Sequence, residues 1–294
     1  MDLTEHRHLV TCDWLAENLE DEKLVVVEAT SLLPNYFDES ASTEIIKVSG
    51  REGWEENHIP GSVFVDLLED LSDTRDSHLM YGIAPIEKCE AVLSNLGIGN
   101  NSAVGVYDRS RNTWAARFWW ILRHLGFENA AVLNGGWTQW VQSGRPISAD
   151  RVAPKTTHFQ AHIQSELIVS KQDVLSALED DSTVLVNALT REEFRGEPPH
   201  RYSRPGRIPG SINIPLDTLT DLESQHYVAE KDAQLIVEES KIEGDSAVIC
   251  YCGGGIAACN AALMLTRQGV KNISVYDGSL TEWSADLSLP METG

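Results

Sequence analysis

The sequence predicts an α/β protein made of two tandem copies of one unit, each a mostly parallel sheet flanked by helices. Three observations carry this prediction. Short apolar runs alternate with amphipathic helical runs along the chain, one half repeats the framework of the other, and glycines stand where the helical runs stop. Residues 123–140 and 266–283 match at a constant offset, pairing Gly126 with Gly269, Asn129 with Asn272, Val132 with Val275, Gly135 with Gly278 and Trp140 with Trp283. Upstream, residues 104–117 correspond to 248–258, and 56–67 to 205–216, in the same order.

Taken along the chain, Leu24 to Ala29 and Val184 to Ala188 read as the first strand of each copy, and Ala103 to Tyr107 and Ala247 to Tyr251 as central buried strands. Trp114 to Leu125 and Ala257 to Gln268 read as the helices that follow, closed by Gly126 and Gly269 at the position expected just past a helix C-terminus. Ser143 to His162 holds two prolines and little apolar periodicity, so it reads as the linker, with the boundary near residue 150. In such sheets ligands sit beyond the C-terminal ends of the strands, the edge that carries both Asp108 and Cys252.

The 294 residues exceed the usual single-domain size of roughly 100–150 and provide for two cores. A net charge of −22, from 45 acidic against 23 basic residues, repels phosphate backbones and anionic membranes, so neither nucleic acid nor a membrane is an expected partner. An anionic small substrate needs local basic groups. The N-terminus lacks a signal pattern and no segment reaches the roughly 20 apolar residues of a membrane span, so a soluble, cytoplasmic protein is expected. Five cysteines (Cys12, Cys89, Cys250, Cys252, Cys259) are an odd number and argue against a disulfide framework. No CxxC pair occurs and no histidine flanks the cluster, so no metal is expected.

Cys252 is the first candidate for chemistry. An apolar run ends there, and Gly253, Gly254 and Gly255 precede a helical run, so backbone N–H groups would surround the sulfur. A thiolate is the nucleophilic form of cysteine, and a helix N-terminus favours negative charge. The competing reading of any single cysteine is a buried inert one, and for the glycines a plain tight turn. Cys250 reads as a small core residue, and Cys259, on the following helix, as packing rather than a redox partner.

The motifs HIPGS (58–62), YDRSRNTWAAR (107–117), LNGGW (133–137), FRG (194–196), IPGSIN (208–213) and YCGGGIAAC (251–259) together resemble the tandem rhodanese family, which includes thiosulfate and 3-mercaptopyruvate sulfurtransferases. The resemblance implies two tandem rhodanese-like domains, 1–150 catalytically silent with Asp108 in register with the nucleophile, and 151–294 catalytic. It implies that Cys252 carries sulfane sulfur as a persulfide, taken from a small donor and given to a thiophilic acceptor such as cyanide or a thiol. The loop Gly253, Gly254, Gly255, Ile256, Ala257 and Ala258 would cradle both anions. No cofactor is implied, and a thiol reductant protein is among the expected partners.

Departures from the family pattern bear on the substrate. The neutral Gly253 and Gly254 lack the cations that thiosulfate-preferring members carry, which leans toward the mercaptopyruvate type. The substrate arginine expected before FRG is Glu193, leaving Arg191, Arg195, Arg201 and Arg204 as nearby substitutes, and His78 is a further pocket candidate. Arg207 and Asn187 replace a histidine and an aspartate that support the fold. Two other functions stand beside this one: a sulfur relay fed by another protein, which uses the same loop, and a cysteine phosphatase, disfavoured because Ala258 stands where phosphatases hold a phosphate-clamping arginine. Trp119, Trp120, Trp137 and Trp140 read as core and interdomain packing.

Overall fold

In the computed structural model, which describes residues 1–35, 45–73, 75, 79, 81–180, 182–243 and 245–294, the repeat becomes two five-stranded sheets with the same strand order. The strands are β1 (Leu9–Val10), β2 (Leu24–Glu28), β3 (Ser31–Leu32), β4 (Val48–Ser49), β5 (Val63–Phe64), β6 (Ala103–Tyr107) and β7 (Ala130–Leu133) in the first copy. The second copy holds β8 (Ile168–Val169), β9 (Thr183–Asn187), β10 (Ile212–Asn213), β11 (Ala247–Tyr251) and β12 (Asn272–Tyr276). The orders are β1-β7-β6-β2-β5 and β8-β12-β11-β9-β10, while β3 and β4 form a separate antiparallel pair. Pairing within both large sheets is parallel, which explains why β6 reads as an unbroken apolar run rather than an alternating one: helices cover both faces.

One feature differs from the sequence reading. Leu24–Glu28 and Thr183–Asn187 are not the first strands, because each copy opens with a two-residue edge strand, β1 or β8, that docks beside β7 or β12. Two residues carry no periodicity, so no pattern could reveal them. The following helices run Thr113–His124 and Ala257–Arg267, and Gly126 and Gly269 take φ values of 80° and 86° in the left-handed region, as a helix-ending glycine does.

These two helices pack against one another, and a continuous core runs through them from one sheet to the other. On the first, every residue from Trp114 to Leu122 is buried. On the second, Ala258, Ala261 and Ala262 are buried, small side chains that let the two backbones approach. Trp119, Trp120 and Trp140 are fully buried, and Trp120 Nε1 donates to Leu167 O at 3.1 Å across the copies. Trp137 instead stacks on Tyr107, with ring centroids 6.3 Å apart. The Ser143–His162 stretch is strapped to the first copy: Ser148 bridges to His58, Thr157 N donates to Ser94 O, His162 N donates to Leu125 O, and Phe159 is buried against Phe127. Among the described residues no helix is long and apolar enough to cross a membrane.

Candidate active site

Strand β11 is the centre of the second sheet, flanked by β9 and β12, and it delivers Cys252 to the C-terminal edge. The loop that follows is turned inside out by its neighbour, the helix Ser279–Ala285. Leu280 N donates to Cys252 O at 3.1 Å, and Thr281 gives both N (2.9 Å) and Oγ1 (2.7 Å) to Gly253 O. Ser279 Oγ accepts from Cys252 N (3.1 Å) and Gly255 N (3.0 Å) while donating to Tyr276 O at 2.8 Å. The Cys252 and Gly253 carbonyls are taken by Leu280 and Thr281, Cys259 N donates to Ile256 O at 3.0 Å, and among the described residues the N–H groups of Gly253, Gly254, Ile256, Ala257 and Ala258 have no acceptor, leaving the loop a set of open donors. Cys252 lies in it, 3% exposed.

Two of the glycines are fixed by their surroundings. Gly255 has φ 78°, and a Cβ there would come within 2.9 Å of Asp277 Oδ1. A Cβ on Gly253 would lie 2.0 Å from Tyr202 Oη, so the Tyr202 phenol covers the loop.

The first copy shows the same loop with its anion built in. Asp108 is fully buried, and its carboxylate accepts four backbone N–H groups: Ser110 (2.7 Å) and Asn112 (3.0 Å) on Oδ1, Trp114 (2.8 Å) and Ala115 (2.8 Å) on Oδ2. Burial pushes this carboxyl up, and the four backbone bonds pull it down. Register equates Glu28, opposite Tyr107, with Asn187, opposite Tyr251. In the first copy Arg109 reaches that glutamate through Nε–Oε1 at 2.6 Å and Nη2–Oε2 at 3.2 Å, and lies 4.1 Å from the Trp137 ring centroid. In the second copy Gly253 stands where Arg109 stands and Asn187 where Glu28 stands, so this filling pair is deleted.

The first copy also reaches into the second. Arg117, from the helix Thr113–His124, is 1% exposed and pairs with Asp277 Oδ1 at 2.6 Å. The same guanidinium donates to Tyr81 O at 2.8 Å and Gly255 O at 3.4 Å, and Asp277 Oδ2 accepts from Ile83 N at 3.2 Å. Sequence reasoning missed Arg117, Asp277, Tyr81 and Tyr202, because nothing local marks a contact made across copies. Ser279 had a signal: it is a serine where the first copy's LNGGW has Gly136.

The arginines considered for substrate separate clearly. Arg191 and Arg195 are exposed, and Arg195 faces Glu197 at 3.5 Å. Arg204 donates to four carbonyls, of Trp283, Ser284, Asp286 and Leu289, and so holds the end of the helix Ser279–Ala285. Arg201 is nearly buried and sits 3.9 Å from Glu193, whose carboxylate also caps the helix Arg191–Arg195. The negative charge expected at Glu193 is therefore matched by Arg201 rather than presented bare. Arg207 donates to Phe194 O and Gly294 O and pairs with Glu292. His78 lies outside the described residues.

Of the other thiols, Cys250 lies in the core of β11 and burial pushes it well up, while burial pushes Cys259 up to about 12 against the pull of Arg117. Cys259 Sγ donates to Gly255 O at 3.2 Å. Among the described residues no group of His, Cys, Asp or Glu could hold a metal ion.

Comparison with known proteins gives a consistent picture. The model of the Rhodanese-like domain matches residues 11–143 and 170–286. The chain is 30% identical over 285 residues to the 3-mercaptopyruvate sulfurtransferase of Escherichia coli K12, covering 96% of this chain and 97% of that protein. It is 29% identical over 289 residues to the thiosulfate sulfurtransferase of Rattus norvegicus, covering 95% and 92%. Among solved structures, the 3-mercaptopyruvate sulfotransferase SseA from Escherichia coli superposes with a TM-score of 0.78 at 27% identity, covering 92% of this chain and 98% of that one. An anaerobic ergothioneine biosynthesis enzyme from Chlorobium limicola shares the fold with a TM-score of 0.80 at 24% identity, covering 99% of this chain and 71% of that one.

Proposed function

The chain belongs to the rhodanese family, and on that footing we propose that it is a sulfurtransferase whose nucleophile and sulfur carrier is Cys252. The observation that supports this most is the pair of equivalent loops: the first holds a carboxylate on four backbone N–H groups, and the second offers the same loop to a sulfur anion. Preorganised donors of this kind stabilise charge without reorganising during reaction.

In the first half-reaction the Cys252 thiolate attacks the sulfane sulfur of a small donor. With thiosulfate, the donor S–S bond breaks, sulfite leaves with the electron pair, and a Cys252 persulfide anion forms. With 3-mercaptopyruvate, the C–S bond breaks and the pair remains as pyruvate enolate, which takes a proton from solvent. In the second half-reaction a thiophile attacks the outer sulfur and Cys252 leaves as thiolate; cyanide departs as thiocyanate. Splitting the transfer in two replaces one difficult step by two displacements.

In the loop Gly253 to Ala258, the N–H groups of Gly253, Gly254, Ile256, Ala257 and Ala258 hold the charge in both states, while Gly255 N stays on Ser279 Oγ and shapes the turn. Arg201, beside Glu193 and next to Tyr202, is the cation we assign to the donor's anionic group, in preference to the exposed Arg191 and Arg195. We assign silence to residues 1–150, where Asp108 has no sulfur to transfer, and the chemistry to 151–294. A cytoplasmic setting and a thiol reductant protein as acceptor complete this reading.

The test is direct. Intact mass should show one sulfur atom added to Cys252 by thiosulfate or 3-mercaptopyruvate and removed by cyanide, and Cys252→Ser should lose transfer from both donors. Transfer that survives the substitution, or sulfur found on another residue, overturns the assignment.

A further inference from the structure

Tyr81 belongs to the first copy, yet it is built onto the Cys252 loop of the second. Its carbonyl is held by Arg117, whose guanidinium also holds Gly255 O, and two residues on Ile83 N is held by Asp277. Its ring meets Trp114 edge-on, with centroids 5.7 Å apart and planes at 86°, and the Lys47 ammonium lies 4.6 Å from its centroid. The residue is 4% exposed, and among the described residues its hydroxyl is buried without a hydrogen-bond partner. A buried phenol is ordinarily paired, and an orphaned one calls for an account.

Burial pushes the Tyr81 phenol above its usual range, and charge on Cys252 pushes it further. The hydroxyl therefore stays protonated as a donor, and the Arg117 guanidinium shared by Tyr81 O and Gly255 O fixes this residue against the loop that starts at Cys252. A persulfide extends the cysteine by one sulfur–sulfur bond, about 2 Å, and carries its negative charge on the outer atom. We propose that the Tyr81 hydroxyl, supplied by the first domain, donates a hydrogen bond to the transferred sulfur while that sulfur is held on Cys252. This inference rests on the sulfurtransferase reading above and adds a group that touches the transferred atom. It also gives the silent copy a part in the chemistry: no proton moves, and the bond favours the loaded state over the empty one.

Tyr81→Phe removes the oxygen alone and leaves the ring against Trp114 and Lys47. Wild type and variant are loaded with thiosulfate or 3-mercaptopyruvate, then titrated with sulfite, which takes the outer sulfur back as thiosulfate, and the loaded fraction is read by intact mass. A hydrogen bond to a charged atom predicts that the variant's loading equilibrium falls about tenfold or more. The rate of iodoacetamide alkylation of unloaded Cys252 should keep the wild-type pH profile, showing the loop intact. Equal loading overturns the inference, as does a loss of loading accompanied by a displaced alkylation profile, which would assign Tyr81 to the empty loop. A wild type that takes no sulfur from either donor overturns the sulfurtransferase reading itself, and this inference with it.

Discussion

Arg117→Met should cost the protein about 3–5 kcal/mol, the usual penalty for removing one member of a buried ion pair. The arginine is 1% exposed and its partner Asp277 is 6% exposed, so the substitution strands a carboxylate where little water reaches it. It also removes the donors to Tyr81 O and Gly255 O, though these losses overlap with the first and do not add to it. Against a total stability of about 5–15 kcal/mol, this is a large fraction. Urea unfolding should show a lower midpoint at unchanged slope. The double variant Arg117→Met with Asp277→Asn should recover most of the loss, because the asparagine no longer strands a charge and keeps an acceptor for Ile83 N. Sulfur transfer should fall in the single variant although Arg117 lies outside the second domain. Single-variant effects that simply add in the double variant, or a cost for Arg117→Met under about 1 kcal/mol, would refute the reasoning.

Gly253→Ala should cut kcat/KM about tenfold or more while costing about 1–3 kcal/mol in stability, since its Cβ would fall 2.0 Å from Tyr202 Oη and must displace that phenol; steady-state kinetics beside thermal unfolding check this. Burial holds the His124 imidazole below its usual range, so the unfolded chain takes up a proton first as pH falls below about 6.5. The contribution is absent above that pH, and stability is lost beneath it as the pH falls toward the folded value. Urea midpoints at pH 7.5 and 5.5 should show a smaller loss for His124→Gln than for wild type, and an equal loss would remove His124 as the cause.

The fold was legible because duplication writes each element twice. Gly126 with Gly269, or Trp140 with Trp283, fixes the frame even where one copy alone is ambiguous, and Asp108 in register with Cys252 distinguishes the two loops by sequence. The loop itself was legible for a local reason: strand, cysteine, three glycines and helix are contiguous. The rest of the site is assembled from distant parts of the chain. Arg117 reads as one more polar residue on a helix, and only the packing of Thr113–His124 against Ala257–Arg267 shows it buried beside Gly255. The pairing of Glu193 with Arg201 is hidden for the same reason, since nothing in the local pattern joins the two. The edge strands Leu9–Val10 and Ile168–Val169 were too short for any period to declare them.

The carboxylate in the Asp108 loop is fixed, whereas in the proposed cycle the anion in the Cys252 loop changes length with every turnover, from thiolate to persulfide and back. An anion of constant shape can hold its own cradle in place; one that changes shape cannot, and something else must keep those donors in position. Here that scaffold is external to the loop, in the Ser279 hydroxyl on one side and in the Arg117 guanidinium on the other. The second of these arrives from the opposite half of the gene product. Cutting the chain near residue 150 would thus leave a complete sheet, an intact cysteine and a full set of glycines, but a receptor with one of its two braces missing. In the proposed mechanism the first half transfers no sulfur, yet it is, mechanically, a wall of the site in the second.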